Sequence, residues 1–118
     1  MKIKRRAGLW LPVLLWAALI WRLSAVPHLR IVEAWWDYPL RKAAHMTVFG
    51  ILARFLARAL TGDTYWPWKK IFYSSLAVTF LYACSDEWHQ SFVAGRHGSP
   101  LDVLIDTAGA WCALGFVP

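Results

Sequence analysis

The chain is predicted to be all-α, a polytopic membrane protein folded as a four-transmembrane-helix bundle in one domain spanning residues 1–118. Three observations carry that expectation. Hydrophobic residues make up 58% of the sequence and charged ones 17%, so a soluble domain of this size would struggle to hide its apolar surface. There are nine tryptophans, a residue that collects where one end of a ring is wet and the other apolar. Finally, the apolar residues fall into four runs of about 17–20 residues, near the length that crosses roughly 30 Å of hydrocarbon as a helix.

The first run, Ala7 to Leu23, is nearly pure hydrocarbon. Ser24-Ala25 at its end would suit a cleavable signal peptide. Arg22 and bulky Leu23 precede that cut, however, and the stretch is long, so a retained helix is expected. The next stretch alternates irregularly between Val26, Leu29, Ile31, Val32, Trp35 and Trp36 and polar Arg30, Glu33 and Asp37. It is too polar to span and is expected to lie in the interface. The second run, Ala43 to Leu60, carries His45, Arg54 and Arg58. The third, Ile71 to Gln90, is apolar with a polar stripe, and the fourth, Leu101 to Val117, opens with Asp102 and Asp106. Cys84 and Cys112 fall in different runs at different depths, so buried thiols rather than a disulfide are expected.

Basic residues orient the bundle. With the N-terminus inside, Lys2, Lys4, Arg5, Arg6, Lys69 and Lys70 are cytoplasmic, and Arg54 and Arg58 snorkel towards that side. Arg22, Arg30, Arg41, Lys42 and Arg96 are left outside. Eight of the 13 basic residues therefore favour both termini in the cytoplasm. Trp66 and Trp68 would mark the inner interface; Trp21, Trp35, Trp36 and Trp88 would mark the outer one. The net charge of +6 is largely this anchor, and without a nucleic-acid motif it argues against a nucleic-acid partner.

Ionisable groups at membrane depth are costly, so by default they mark a site. On a helix turning about 100° per residue, Asp86 and Gln90 nearly share a direction above Ser75, Thr79 and Tyr82, with Glu87 at the flank and Trp88 on the lipid side. Asp102, Asp106, Gly109 and Ala113 form a second stripe, with Trp111 opposite, and it is expected to face the first stripe. Arg41 and His45 share a face with Phe49, with Lys42 beside it; Arg54 and Arg58 point elsewhere. The expected site is Arg41, Lys42, His45, Asp86, Glu87, Gln90, Asp102 and Asp106, with Arg96 in the loop above. Against it stands a structural role, with polar pairs merely gluing helices. Each such contact adds only about 0.6 kcal/mol, a modest return for so many rare groups. Asp102 could instead cap the fourth helix. His45 could be a satisfied donor between helices, and Arg54 and Arg58 could simply be solvated.

Several short elements resemble the VanZ-like family of membrane proteins. They are Lys42-Ala43-Ala44-His45; Asp86-Glu87-Trp88-His89-Gln90-Ser91-Phe92; Gly95, Arg96, Ser99 and Asp102; and then Asp106 and Gly109. Their joint order and spacing is specific, and the resemblance covers about residues 37–115. The family commonly has Pro where Ala94 stands, Asn in place of Asp106 and Tyr in place of Phe49. The resemblance implies a small polytopic protein of the cell envelope, with some members linked to teicoplanin resistance.

The leading functional expectation is a protein of the cell membrane with an extracytoplasmic polar site. It would bind a cell-wall or lipid precursor, a lipid head group or a glycopeptide. Arg41, Lys42 and Arg96 would meet phosphate or carboxylate, and Asp86, Glu87 and Gln90 would bond polar groups. The alternative is a membrane enzyme acting on a phosphate-containing lipid, with Asp86 or Glu87 as general acid or base and His45 as proton shuttle. A transporter or assembly subunit is a third class, and four helices would then require oligomerisation. Membrane lipids are the expected partners. No cofactor is expected, and no compact ligand spacing supports Mg²⁺ or Zn²⁺.

Overall fold

The structure, a computed structural model, describes residues 2–25, 36–93 and 100–115. They form four helices, α1 (Lys2–Ser24), α2 (Asp37–Asp63), α3 (Trp68–Gln90) and α4 (Pro100–Gly115), with no strand among the described residues. Among the described residues, two segments are long and apolar enough to cross a membrane, Ile3–Ser24 and Pro39–Asp63.

Helix limits follow local chemistry. α2 starts at Asp37, earlier than the apolar run suggests, because Pro39 falls within the first turn, where its missing N–H breaks no intrahelical bond. Its end is fixed at Thr64, whose backbone is extended and whose hydroxyl donates to the Leu60 carbonyl at 2.6 Å. Pro67 then starts α3. Most of the expected interfacial stretch, residues 26–35, lies outside the described residues; its last two residues, Trp36 and Asp37, lead into α2.

α2 is the hub. It packs against all three other helices, and Phe49, Leu52, Ala53, Leu56, Ala57 and Ala59 bury more than one of its sides. α1 and α4 lie on different flanks of it, and α3 closes the bundle against both α2 and α4. End-to-end contacts set the directions. Arg6 at the start of α1 meets Asp63 at the end of α2, Ser24 ending α1 meets Gln90 ending α3, and Lys42 near the start of α2 meets Asp102 at the start of α4. The path is therefore up-down-up-down, as short connections between antiparallel helices require.

The α2–α4 seam is close because it is built on glycine. A Cβ added at Gly109 would overlap the Met46 carbonyl oxygen and stand 2.8 Å from its Cα. At Gly50 it would meet the Ala113 Cβ at 3.1 Å. This corrects part of one expectation: Gly109 and Ala113 of the α4 stripe seat on α2, while Asp106 of the same stripe still lies within electrostatic reach of Asp86 on the polar stripe of α3. Gly109 lets the α4 backbone lie directly against that of Met46, which a side chain there would prevent. A second correction concerns the cysteines. Cys84 and Cys112 are free thiols, but both are exposed on the outer surface rather than buried.

Candidate functional site

At one end of the bundle α1 and α3 finish while α2 and α4 begin. It is the acidic end; the opposite one, where Arg5 and Arg6 meet Gly62 and Asp63, is the basic end. Of the nine residues expected in the site, eight lie at the acidic end. Arg96, with the rest of the 94–99 loop, lies outside the described residues.

α3 supplies the innermost acid. Asp86 is 1% exposed, and its Oδ2 accepts a hydrogen bond from Gln90 Nε2 at 3.0 Å, one helical turn on. The same amide donates to Ser24 Oγ of α1 at 3.3 Å. Asp86 Oδ1 has no hydrogen-bond partner. Glu87, also buried, sits on the flank of α3 nearer α4.

α2 and α4 face each other through two parallel pairs. Lys42 Nζ donates to Asp102 Oδ1. Thus Asp102, in the first turn of α4, is held by a charge on α2. One turn deeper, His45 Nδ1 and Asp106 Oδ1 stand 3.4 Å apart, a separation with no aligned hydrogen bond. Arg41 is half-buried, one residue before Lys42. Asp86 lies within electrostatic reach of both His45 and Asp106, so carboxylates from α3 and α4 and an imidazole from α2 form one buried cluster.

An aromatic floor supports this cluster. Phe49 is fully buried, with its ring centroid 6.3 Å from that of His45 and 6.1 Å from that of Tyr82. The Tyr82 hydroxyl donates to the Ala17 carbonyl, tying α3 to α1. Below it, Thr79 Oγ1 donates to the Ser75 carbonyl at 2.8 Å, while the buried Ser75 Oγ is unpartnered.

Two participants were missed from sequence. Ser24 was read only as a possible cleavage position, yet it completes the hydrogen bonding of Gln90. The signal was present, since Val13, Ile20 and Ser24 recur on one face of α1 and all three are buried. His89 stacks on Trp21, with centroids 4.0 Å apart and rings 3° from parallel, and its buried Nδ1 has no hydrogen-bond partner. That contact crosses from α3 to α1, and periodicity within one helix cannot reveal it.

At the basic end, Arg5, Arg6, Arg54, Arg58 and Asp63 each meet a polar partner on a neighbouring helix. Arg6 Nε meets Asp63 Oδ1 at 2.8 Å, Trp10 Nε1 donates to Asp63 Oδ2 at 3.0 Å, and Arg5 Nη2 donates to the Gly62 carbonyl at 2.7 Å. Arg58 Nη1 donates to the Gly8 carbonyl at 3.1 Å. Pro12 has no N–H to offer that carbonyl one turn back, so Arg58 satisfies the acceptor that the proline orphans. Arg54 Nη1 donates at 3.2 Å to the Ala113 carbonyl in the last turn of α4, where a cation suits the helix dipole.

Chemically, the acidic end offers carboxylate oxygens and imidazole nitrogens with hydrogen-bonding capacity to spare. Among the described residues, no three His, Cys, Asp or Glu side chains come together to hold a metal ion. A family model described as VanZ/LLP1 matches residues 9–118, essentially the whole chain. No curated protein and no solved structure matches significantly.

Proposed function

This chain belongs to the VanZ/LLP1 family, and from that premise we propose that it is a multi-pass protein of the cell membrane whose acidic end binds a cell-envelope component from outside. The ligand class is a cell-wall or lipid precursor, a lipid head group or a glycopeptide. Reduced glycopeptide sensitivity, to teicoplanin among others, is the matching phenotype. All four helices cross, both termini are cytoplasmic, and the acidic end faces out.

One observation carries this reading. Asp86 is 1% exposed yet keeps Oδ1 without a hydrogen bond, and Asp106, equally buried, meets His45 Nδ1 only loosely through Oδ1, at 3.4 Å. Helix gluing does not require that, because an unsatisfied buried polar group costs about 1–3 kcal/mol. A ligand that donates hydrogen bonds offsets the cost.

Purified protein titrated with lipid-linked precursors and with teicoplanin is expected to bind at least one, without turnover. Glu87→Gln and Arg96→Ala should abolish binding while the protein still inserts and folds. If both variants retain full binding, the site is wrong; turnover of the same compounds would favour a lipid-directed enzyme. Orientation is tested separately. In a background lacking Cys84 and Cys112, an external thiol reagent should label Gly98→Cys and miss Asp63→Cys. The reverse pattern would overturn the outward-facing site.

A further inference from the structure

We propose that the outer face of α3 at the basic end binds the phosphate of an anionic phospholipid, held by Lys69 and Lys70. The site is independent of the acidic-end reading and needs only that α3 lie in a membrane.

A shallow groove of about 480 Å³ begins at the start of α3, lined by Pro67, Lys69, Lys70, Tyr73, Ser74 and Ala77. From Lys69 to Ala77 these positions recur at helical spacing, so the groove follows one face of α3 for about 12 Å. Trp66 and Trp68, at its head, are 38% and 37% exposed, and tryptophan settles at headgroup level. The groove therefore opens among headgroups and descends towards hydrocarbon. There the exposed Tyr73 and Ala77 offer an acyl chain an apolar wall.

Charge at the head of the groove is positive. No acid is among the described residues lining it, and α3 has none in its first turn. Asp63, at the neighbouring end of α2, already has Oδ1 on Arg6 and Oδ2 on Trp10. Lys69 and Lys70 are exposed, and neither forms an ion pair among the described residues. The Lys70 ammonium sits 4.0 Å from the Trp66 ring centroid, a cation–π contact that places it without neutralising it. Pro67 opens α3 with no side-chain cap, so the helix N-terminus adds partial positive charge. Lysine meets phosphate as a point charge, and the hydroxyls of Tyr73 and Ser74 stand one turn on as further donors. A zwitterionic headgroup would bring its own cation to two lysines, whereas an anionic one brings the phosphate alone.

A fluorescent reporter tests this in a bilayer. The full chain carrying Cys84→Ser, Cys112→Ser and Val78→Cys takes a bimane label beside the groove, at a position 48% exposed in the wild type. It is reconstituted in phosphatidylcholine nanodiscs doped with phosphatidylglycerol, with brominated acyl chains on one lipid or the other to quench the label on contact. Phosphatidylglycerol should quench with a relative affinity roughly tenfold above phosphatidylcholine, the scale of one charge-assisted hydrogen bond. Lys69→Gln with Lys70→Gln should abolish the preference, and Lys69→Arg with Lys70→Arg should keep it. Lys4→Gln, which removes an exposed cation at the same end on α1, should leave it unchanged.

Equal quenching by the two lipids, or a preference that survives the glutamine pair, overturns the proposal. So does an equal loss in Lys4→Gln, which would mean a diffuse surface field and no site. Inorganic phosphate that erases the preference would make the occupant a free anion, and overturns it too. Quenching by neither lipid would take α3 out of the membrane, and the proposal with it. If the glutamine pair does not fold, the wild-type ratio and the Lys4→Gln control still decide. Loss of the lipid preference with acidic-end binding intact refutes the basic-end site alone.

Discussion

The two ends of this bundle carry similar numbers of polar side chains and treat them differently. At the basic end each guanidinium of Arg5, Arg6, Arg54 and Arg58 closes on an acceptor from a neighbouring helix, and both Asp63 oxygens are used. At the acidic end, Asp86 Oδ1, Asp106 Oδ1, His45 Nδ1 and His89 Nδ1 are buried without a hydrogen bond. The difference separates polar groups that hold helices from polar groups held ready by them. Charge is common to both ends; among the described residues, buried ionisable groups without a hydrogen bond gather at the acidic one, with Ser75 Oγ unpartnered further along α3.

The comparison depends on the α2–α4 seam, so the most damaging change is there. Gly109→Leu drives a side chain into the Met46 backbone, which cannot rotate away. The loss should reach or exceed about 3 kcal/mol, the upper part of the overpacking range. Thermal unfolding in detergent checks it, and a stable variant would mean the seam is misplaced.

Next comes the acidic end itself. Asp86→Asn should abolish ligand binding yet hold stability within about 1 kcal/mol, because it removes a buried charge that is only half satisfied. Binding and melting measured on one preparation separate the two ends. A large stability loss with binding retained would make Asp86 a strut like those at the basic end.

Arg58→Met should do the opposite, leaving binding intact and lowering stability by about 1 kcal/mol, as the Gly8 carbonyl loses its donor. Restoring an N–H with Pro12→Ala should shrink that cost, and a double-mutant cycle would expose the coupling. No coupling would break the pairing inferred here. The smallest effect is expected for Trp111→Leu, under about 0.5 kcal/mol for an outward position. Trp111 is 51% exposed and packs edge-on to Phe72, with centroids 5.1 Å apart. A loss larger than that of Gly109→Leu would mean the inward face of α4 has been misassigned.

Much of this was legible in the chain. Helical periodicity placed Asp86 and Gln90 on one buried stripe and Asp102, Asp106 and Gly109 on another, with Trp88 and Trp111 outward, and the structure agrees. The elements from Lys42 to Gly109 pointed to the family that the whole chain matches. The partner of the α4 stripe was not legible, because periodicity fixes which way a face points and not which helix meets it. Nor was the exposure of Cys84 and Cys112, since a small thiol suits a buried or an outward position on an apolar helix alike.

Sequence by itself determined the helices, their inward faces and the residues worth suspecting, because these follow from local spacing and from the cost of charge in an apolar medium. Tertiary structure alone decided the pairing. Lys42 with Asp102, His45 with Asp106, Ser24 with Gln90 and Arg58 with Gly8 each join residues 50 or more positions apart. Such distances close only when the helices pack, and the glycine seam of α2 and α4 sets how closely they can.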